Sequence, residues 1–131
     1  MGWTSHYIRC AGLDIHYTDW GRAERGTVIA WHGLARTGRD MDELAEHLSA
    51  RGWRVICPDT VGRGLSQWSP QPDEQYCLRF YARLACGLLD GLGLQSVHWV
   101  GTSMGGAIGT LCAGGLAEPT LKARVRSLVL N

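Results

Sequence analysis

Gly101-Thr102-Ser103-Met104-Gly105, followed by Gly106, sets a serine between glycines at minus two and plus two. A serine hydroxyl is a weak nucleophile at neutral pH until a base removes its proton. The pattern therefore makes two demands: a backbone that presents the hydroxyl, and a partner that takes the proton. The first demand is legible locally. A G-x-S-x-G between a strand and a helix makes a sharp turn that strains the serine backbone and leaves its hydroxyl exposed. Side chains at Gly101 and Gly105 would collide with such a turn. The competing use of the same residue is as a plain N-cap of the following helix.

Two further glycine-marked segments belong with it. His32-Gly33-Leu34 ends an apolar run. Acyl transfer requires backbone N–H groups aimed at the oxygen that becomes negative, each worth about 3 kcal/mol. The amides of Met104 and Leu34 are the candidate donors, and His32 with Gly33 forms the loop that carries the second. His32 is expected to brace this loop rather than to move protons. The third segment, Asp59-Thr60-Val61-Gly62-Arg63-Gly64-Leu65-Ser66, reads as a turn that shapes the floor of a site. It lacks the lysine of a phosphate loop, and no GxGxxG opens a helix, so nucleotide binding is disfavoured.

These segments need elements to hold them. "HYIRCAGLDIHYTDWG" reads as an antiparallel hairpin turned at Ala11–Gly12. "TVIAWHG", "WRVICPD", "SVHWVG" and "VRSLVLN" read as short buried strands. Over residues 40–50, Met41, Leu44, Ala45 and Leu48 fall on one helical stripe. A second helix is expected from Asp73, as N-cap, to Gly91, with Cys77, Tyr81, Leu84, Leu88 and Leu92 on one face. "SMGGAIGTLCAGG" reads as a glycine-rich third helix. Strands alternating with helices specify an α/β fold, a doubly wound, mostly parallel sheet with an amino-terminal antiparallel hairpin. Functional residues in such sheets gather at the carboxyl ends of the strands, where all three glycine-marked segments lie.

Composition bounds the partners. A formal charge of +1 across 131 residues gives no electrostatic case for nucleic acid or an acidic membrane. No apolar run approaches a membrane span, and the start lacks the shape of a secretory signal, so a cytoplasmic location is expected. Five cysteines without a CxxC argue against a zinc site; free thiols buried in a reducing compartment are expected. No cofactor or metal is expected.

Taken together, "WHGLARTG", "CPDTVGRGLSQW" and "VGTSMGGAIG", in this order and spacing, resemble the amino-terminal half of the α/β-hydrolase fold. The resemblance covers essentially the whole chain. It implies an esterase-like serine hydrolase acting on a small-molecule ester or acyl substrate, with Ser103 as nucleophile and the Leu34 and Met104 amides as oxyanion hole. Serine at position 103 disfavours the branches that use an aspartate nucleophile. Hydrolases of carbon–carbon bonds stay open, as does a non-catalytic module that keeps the fold for binding.

The proton acceptor is the missing part. The resemblance implies an acid and a histidine after the serine, and no histidine follows His98. His98 lies in the strand before the serine, His6 and His16 in the hairpin, and His47 on a charged helix. The expectation is a single partial α/β-hydrolase core domain over residues 1–131, truncated after about the sixth strand. Its cap, last strands and late triad residues would be absent. Val125, Leu128, Val129 and Leu130 would then line an uncovered edge that favours self-association or pairing with the missing carboxyl-terminal half.

Overall fold

The computed structural model describes residues 2–116 and 118–131. Six strands form one sheet: β1 (Trp3–Cys10), β2 (Leu13–Trp20), β3 (Gly26–Trp31), β4 (Trp53–Pro58), β5 (Val97–Gly101) and β6 (Val125–Leu130). Their order is β1-β2-β4-β3-β5-β6. The pairings β3–β4, β3–β5 and β5–β6 are parallel, and those of β2 with β1 and β4 are antiparallel. The hairpin turns at Ala11 (φ 50°) and Gly12 (φ 81°), the pair of positive φ values that matches strand twist.

Alternating side chains sort into two cores. From β3, Ile29 and Trp31 join Ile56, Trp99 and the helices α3 (Leu78–Gly91) and α4 (Met104–Gly114). Val28 and Ala30 face the other way, onto Val55, Cys57 and α1 (Asp42–Ser49). Burial on both faces explains why these strands are continuous apolar runs. The stripe expected over residues 40–50 is divided between a 3₁₀ turn at Gly38–Met41 and α1.

The helix expected over Asp73–Gly91 is in fact two. A single turn, α2 (Pro72–Gln75), starts on Pro72 and places Asp73 inside it, not at its cap. The chain leaves helical geometry at Tyr76 (φ −98°, ψ 65°) and restarts after Cys77. The break has a tertiary cause: the Tyr76 hydroxyl accepts the Ser69 N–H at 3.1 Å, and its ring lies against Gly62. One long helix could not make that contact.

The cysteines also divide. All five are free, but only Cys10, Cys57 and Cys112 are buried; Cys86 is half-buried and Cys77 is exposed. Cys77 was expected on the buried face and lies outside it because the helix restarts there. Burial pushes Cys57 and Cys112 up to about 12 and Cys10 to about 11. At pH 8 a thiol of pKa about 12 is ionised to roughly one part in 10⁴, and the thiolate is the reactive form. A disulfide reagent should therefore modify Cys77 first and Cys86 more slowly. The other three should react only after unfolding, a pattern read by mass spectrometry of timed aliquots.

Among the described residues no helix is long and apolar enough to cross a membrane. At the opposite end of the sheet from the hairpin, β6 has one neighbour, β5, and leaves Val129 and Leu130 54% and 61% exposed. Beside it a groove of about 610 Å³ is lined by Leu44, Val100, Val129, Leu130 and Asn131, among others.

Candidate active site

Parallel register assembles the site. Trp31 on β3 is paired with Gly101 on β5, so the residues after each strand emerge side by side. A Cβ added to Gly33 would sit 3.8 Å from the Ser103 Cβ. The Thr102 N–H donates to the Trp31 carbonyl at 3.0 Å. On its other side, the Ser103 N–H donates to the Asn131 carbonyl at 3.0 Å, which ties the turn to the end of β6.

Ser103 itself has φ 51° and ψ −111°. That conformation is rare for a residue with a side chain and costs on the order of 1–3 kcal/mol. Its neighbours show why the turn needs glycines. A Cβ on Gly101 would strike the backbone of Gly105 and Gly106, and one on Gly105 would strike the carbonyls of Trp31 and His32. Ser103 occupies the N-cap position of α4, yet its side chain makes no capping hydrogen bond. The hydroxyl is exposed and has no hydrogen-bond partner among the described residues. The plain N-cap reading is thereby excluded.

Two backbone donors also stand unused. Neither the Leu34 nor the Met104 N–H meets an acceptor among the described residues. Leu34 is 62% exposed, whereas the Met104 side chain is packed in the core at 8%. An exposed hydroxyl with free amides at the next residue and just past the adjacent Gly33 is an arrangement in which an attacking oxygen and a developing oxyanion could both be accommodated.

His32 is fully buried and fastened at both ring nitrogens. The Thr60 N–H donates to Nε2 at 3.0 Å, which makes Nδ1 the protonated nitrogen, donating to the Gly33 carbonyl at 2.6 Å. The ring thus clamps the Gly33 loop to the chain just beyond β4. Burial holds its pKa below the ordinary imidazole value, against the opposing pull of the Gly33 carbonyl and Asp59. Because the folded value is lowered, His32 adds stability above about pH 6.5 that is lost as pH falls through the folded value. The unfolding free energy should therefore be smaller at pH 5.5 than at pH 7.5. His32→Gln should narrow that difference in urea titrations.

The most elaborate polar cluster was not legible beforehand. Asp59 accepts from the Gly38 N–H at 2.6 Å, the Leu65 N–H at 3.0 Å and the His16 Nδ1–H at 2.8 Å. The other His16 nitrogen lies 2.5 Å from the Ser5 hydroxyl, completing a Ser5–His16–Asp59 chain. Ser66 closes the cluster, donating to the Asp59 carbonyl at 2.7 Å and accepting from the His16 N–H at 2.8 Å. The atoms repeat a serine–histidine–acid order, but β2 stands three strand spacings from β5, roughly 14 Å. The cluster cannot serve Ser103; it fixes the loops on either side of β4. His98 is likewise engaged elsewhere, with Ser127 at 2.6 Å and edge-on to Trp53. Trp31 is buried against Trp99 and donates to the Thr60 hydroxyl.

A strained serine between colliding glycines, at the carboxyl edge of a mixed six-stranded sheet, defines a class. Residues 26–131 match the family model described as alpha/beta hydrolase fold. The chain belongs to the α/β-hydrolase family. It is 39% identical over 130 residues to the 3-hydroxybutyrate-oligomer hydrolase of Cupriavidus necator, covering 95% of this chain and 42% of that protein. A 2-hydroxy-6-oxononadienedioate/2-hydroxy-6-oxononatrienedioate hydrolase of Dechloromonas aromatica is 35% identical, with 97% and 44% covered. The crystal structure of an alpha/beta hydrolase from Novosphingobium aromaticivorans superposes with a TM-score of 0.87 at 32% identity, over 98% of this chain and 44% of that one. The chain spans less than half the length of the curated relatives it matches.

Proposed function

We propose that this chain is the nucleophile-bearing half of a serine hydrolase that cleaves ester-type bonds through an acyl-enzyme. The observation that carries the reading is the Ser103 backbone, φ 51° and ψ −111°, holding an unpartnered hydroxyl beside two idle amides. In the reaction, a base takes the Ser103 proton and Oγ adds to the ester carbonyl. The Leu34 and Met104 N–H groups receive the resulting oxyanion, and the alcohol leaves with the proton. Water then repeats the sequence on the acyl-enzyme and restores the hydroxyl.

The base and its acid partner come from polypeptide that adds to the β6 edge. Three features support this: the single neighbour of β6 among the described residues, the groove beside it, and the half-length match to relatives. The relative named for 3-hydroxybutyrate oligomers favours ester chemistry, since hydroxy acids link through ester bonds. The relative named for oxo-dienedioates favours carbon–carbon cleavage as a second reading. The test is turnover of p-nitrophenyl butyrate by the chain alone and by the chain assembled with a polypeptide carrying the remaining strands. Turnover only in the assembly supports the proposal. No turnover of this ester or of a 2-hydroxy-6-oxo-dienoate in the assembly would leave a binding module.

A further inference from the structure

We propose that Arg63 and the aromatic cleft beside the Leu34 loop bind a carboxylate carried by the substrate, so that the site selects acid-terminated esters over neutral ones. The placement of this cleft at the acyl site rests on the Ser103 reading; the binding itself does not. The cleft, about 520 Å³, is lined by Leu34, Gly62, Arg63, Trp68, Tyr76 and Tyr81. It therefore shares Leu34 with the pair of idle amides.

Arg63 is held rigidly, but only by neutral acceptors. Its Nε–H donates to the Leu34 carbonyl at 3.2 Å, and its Nη1 donates to the Val61 carbonyl at 3.1 Å and the Tyr81 hydroxyl at 2.8 Å. The rings of Tyr76 and Tyr81 lie 5.9 and 5.3 Å from the guanidinium carbon. Nη2 has no acceptor, and no carboxylate pairs with Arg63 among the described residues. Arg9, Arg39, Arg54 and Arg124 each pair with an aspartate; among the arginines without an ion pair, Arg63 is set apart by its three hydrogen bonds and two flanking rings. A half-buried, pre-aligned guanidinium with an open donor edge is suited to carboxylate, because little side-chain entropy remains to be lost.

The rest of the cleft fits the body of such a ligand. Trp68 is 77% exposed and Leu34 62%, an apolar wall left open among the described residues. Chain geometry sets the reach. From an oxyanion at the Leu34 N–H, across that residue and the Nε–carbonyl bond to Nη2, is at most about 12 Å. The ligand is thus a short acyl body with a carboxylate at its far end, not a long neutral lipid ester.

The test is calorimetric titration of the chain with hexanoate and with methyl hexanoate at low salt. Because it needs no turnover, an inactive Ser103 would leave its result intact, and failed binding would leave the Ser103 reading intact. Hexanoate should bind at least tenfold more tightly than its methyl ester. Arg63→Gln should abolish that preference while leaving the weak ester binding in place. Trp68→Ala should weaken both ligands alike. Equal affinities in the unaltered chain, no binding of either ligand, or a preference that survives Arg63→Gln would overturn the proposal. The first comparison requires no variant, so misfolding of Arg63→Gln cannot rescue it.

Discussion

Ser103→Ala is expected to lower kcat for ester hydrolysis by the assembled enzyme roughly 10⁴- to 10⁶-fold, with KM changed little. The hydroxyl makes no hydrogen bond among the described residues, so its removal breaks no polar contact there. Alanine keeps the Cβ of serine, and Gly101 and Gly105 still permit the close backbone approaches of the turn. The substitution therefore separates chemistry from folding: the unfolding midpoint should hold while turnover collapses. A loss of only a few fold would mean that another group attacks the carbonyl. The measurement is steady-state hydrolysis of p-nitrophenyl butyrate alongside urea unfolding of both proteins.

Asp59→Ala should be the most damaging single change to stability, costing about 3–5 kcal/mol in urea unfolding. Both side chains of the His16–Asp59 pair are only 4% exposed, and removing one partner of a buried pair strands the other. The loss extends further, since the Gly38 and Leu65 amides would also lose their acceptor. Gly64 is held at φ 55° with its α-carbon against the Asp59 carboxylate, so the whole 60–66 turn is wrapped around this group. A domain of this size is stable by about 5–15 kcal/mol, so the effect is a large share of the total. Destabilisation below about 1 kcal/mol would show that the cluster is ornamental to the fold.

The contrast between these two residues shows what the sequence made legible. The strained turn at Ser103 is legible because its signal is local: two glycines, a strand before and a helix after, all within a dozen residues. The strands followed from apolar runs, and β3 and β4 bury both faces as such runs imply. Asp59 was read as part of a turn, because its partners lie 21 and 43 residues away, at Gly38 and His16. In β2 the alternation of Leu13, Ile15 and Tyr17 with Asp14, His16 and Thr18 suggests one wet face. Yet His16 and Thr18 are buried at 3% and 1%, covered by neighbours that periodicity cannot reveal. The break at Tyr76 was hidden for the same reason. Helical spacing continues through it, and only the distant contacts with Gly62 and Ser69 pull the backbone out.

His32 illustrates a middle case. Its place at a strand end marked it as part of the oxyanion-side loop, but the sequence could not say how its nitrogens are used. The two hydrogen bonds to Thr60 and Gly33 answer that, and they leave the imidazole no free nitrogen to offer Ser103. The demand for a proton acceptor thus stands apart from the demand for an exposed hydroxyl. The described residues meet the second and not the first.

That division can be measured directly with a fluorophosphonate, which phosphonylates only an activated serine, followed by mass spectrometry of the peptide bearing Gly101–Gly105. The account predicts a stoichiometric adduct on Ser103 when the chain is assembled with polypeptide supplying an acid and a histidine, and little adduct on the chain alone. An assembled protein that hydrolyses esters while Ser103 stays unmodified, or that carries the adduct on a different serine, would contradict it.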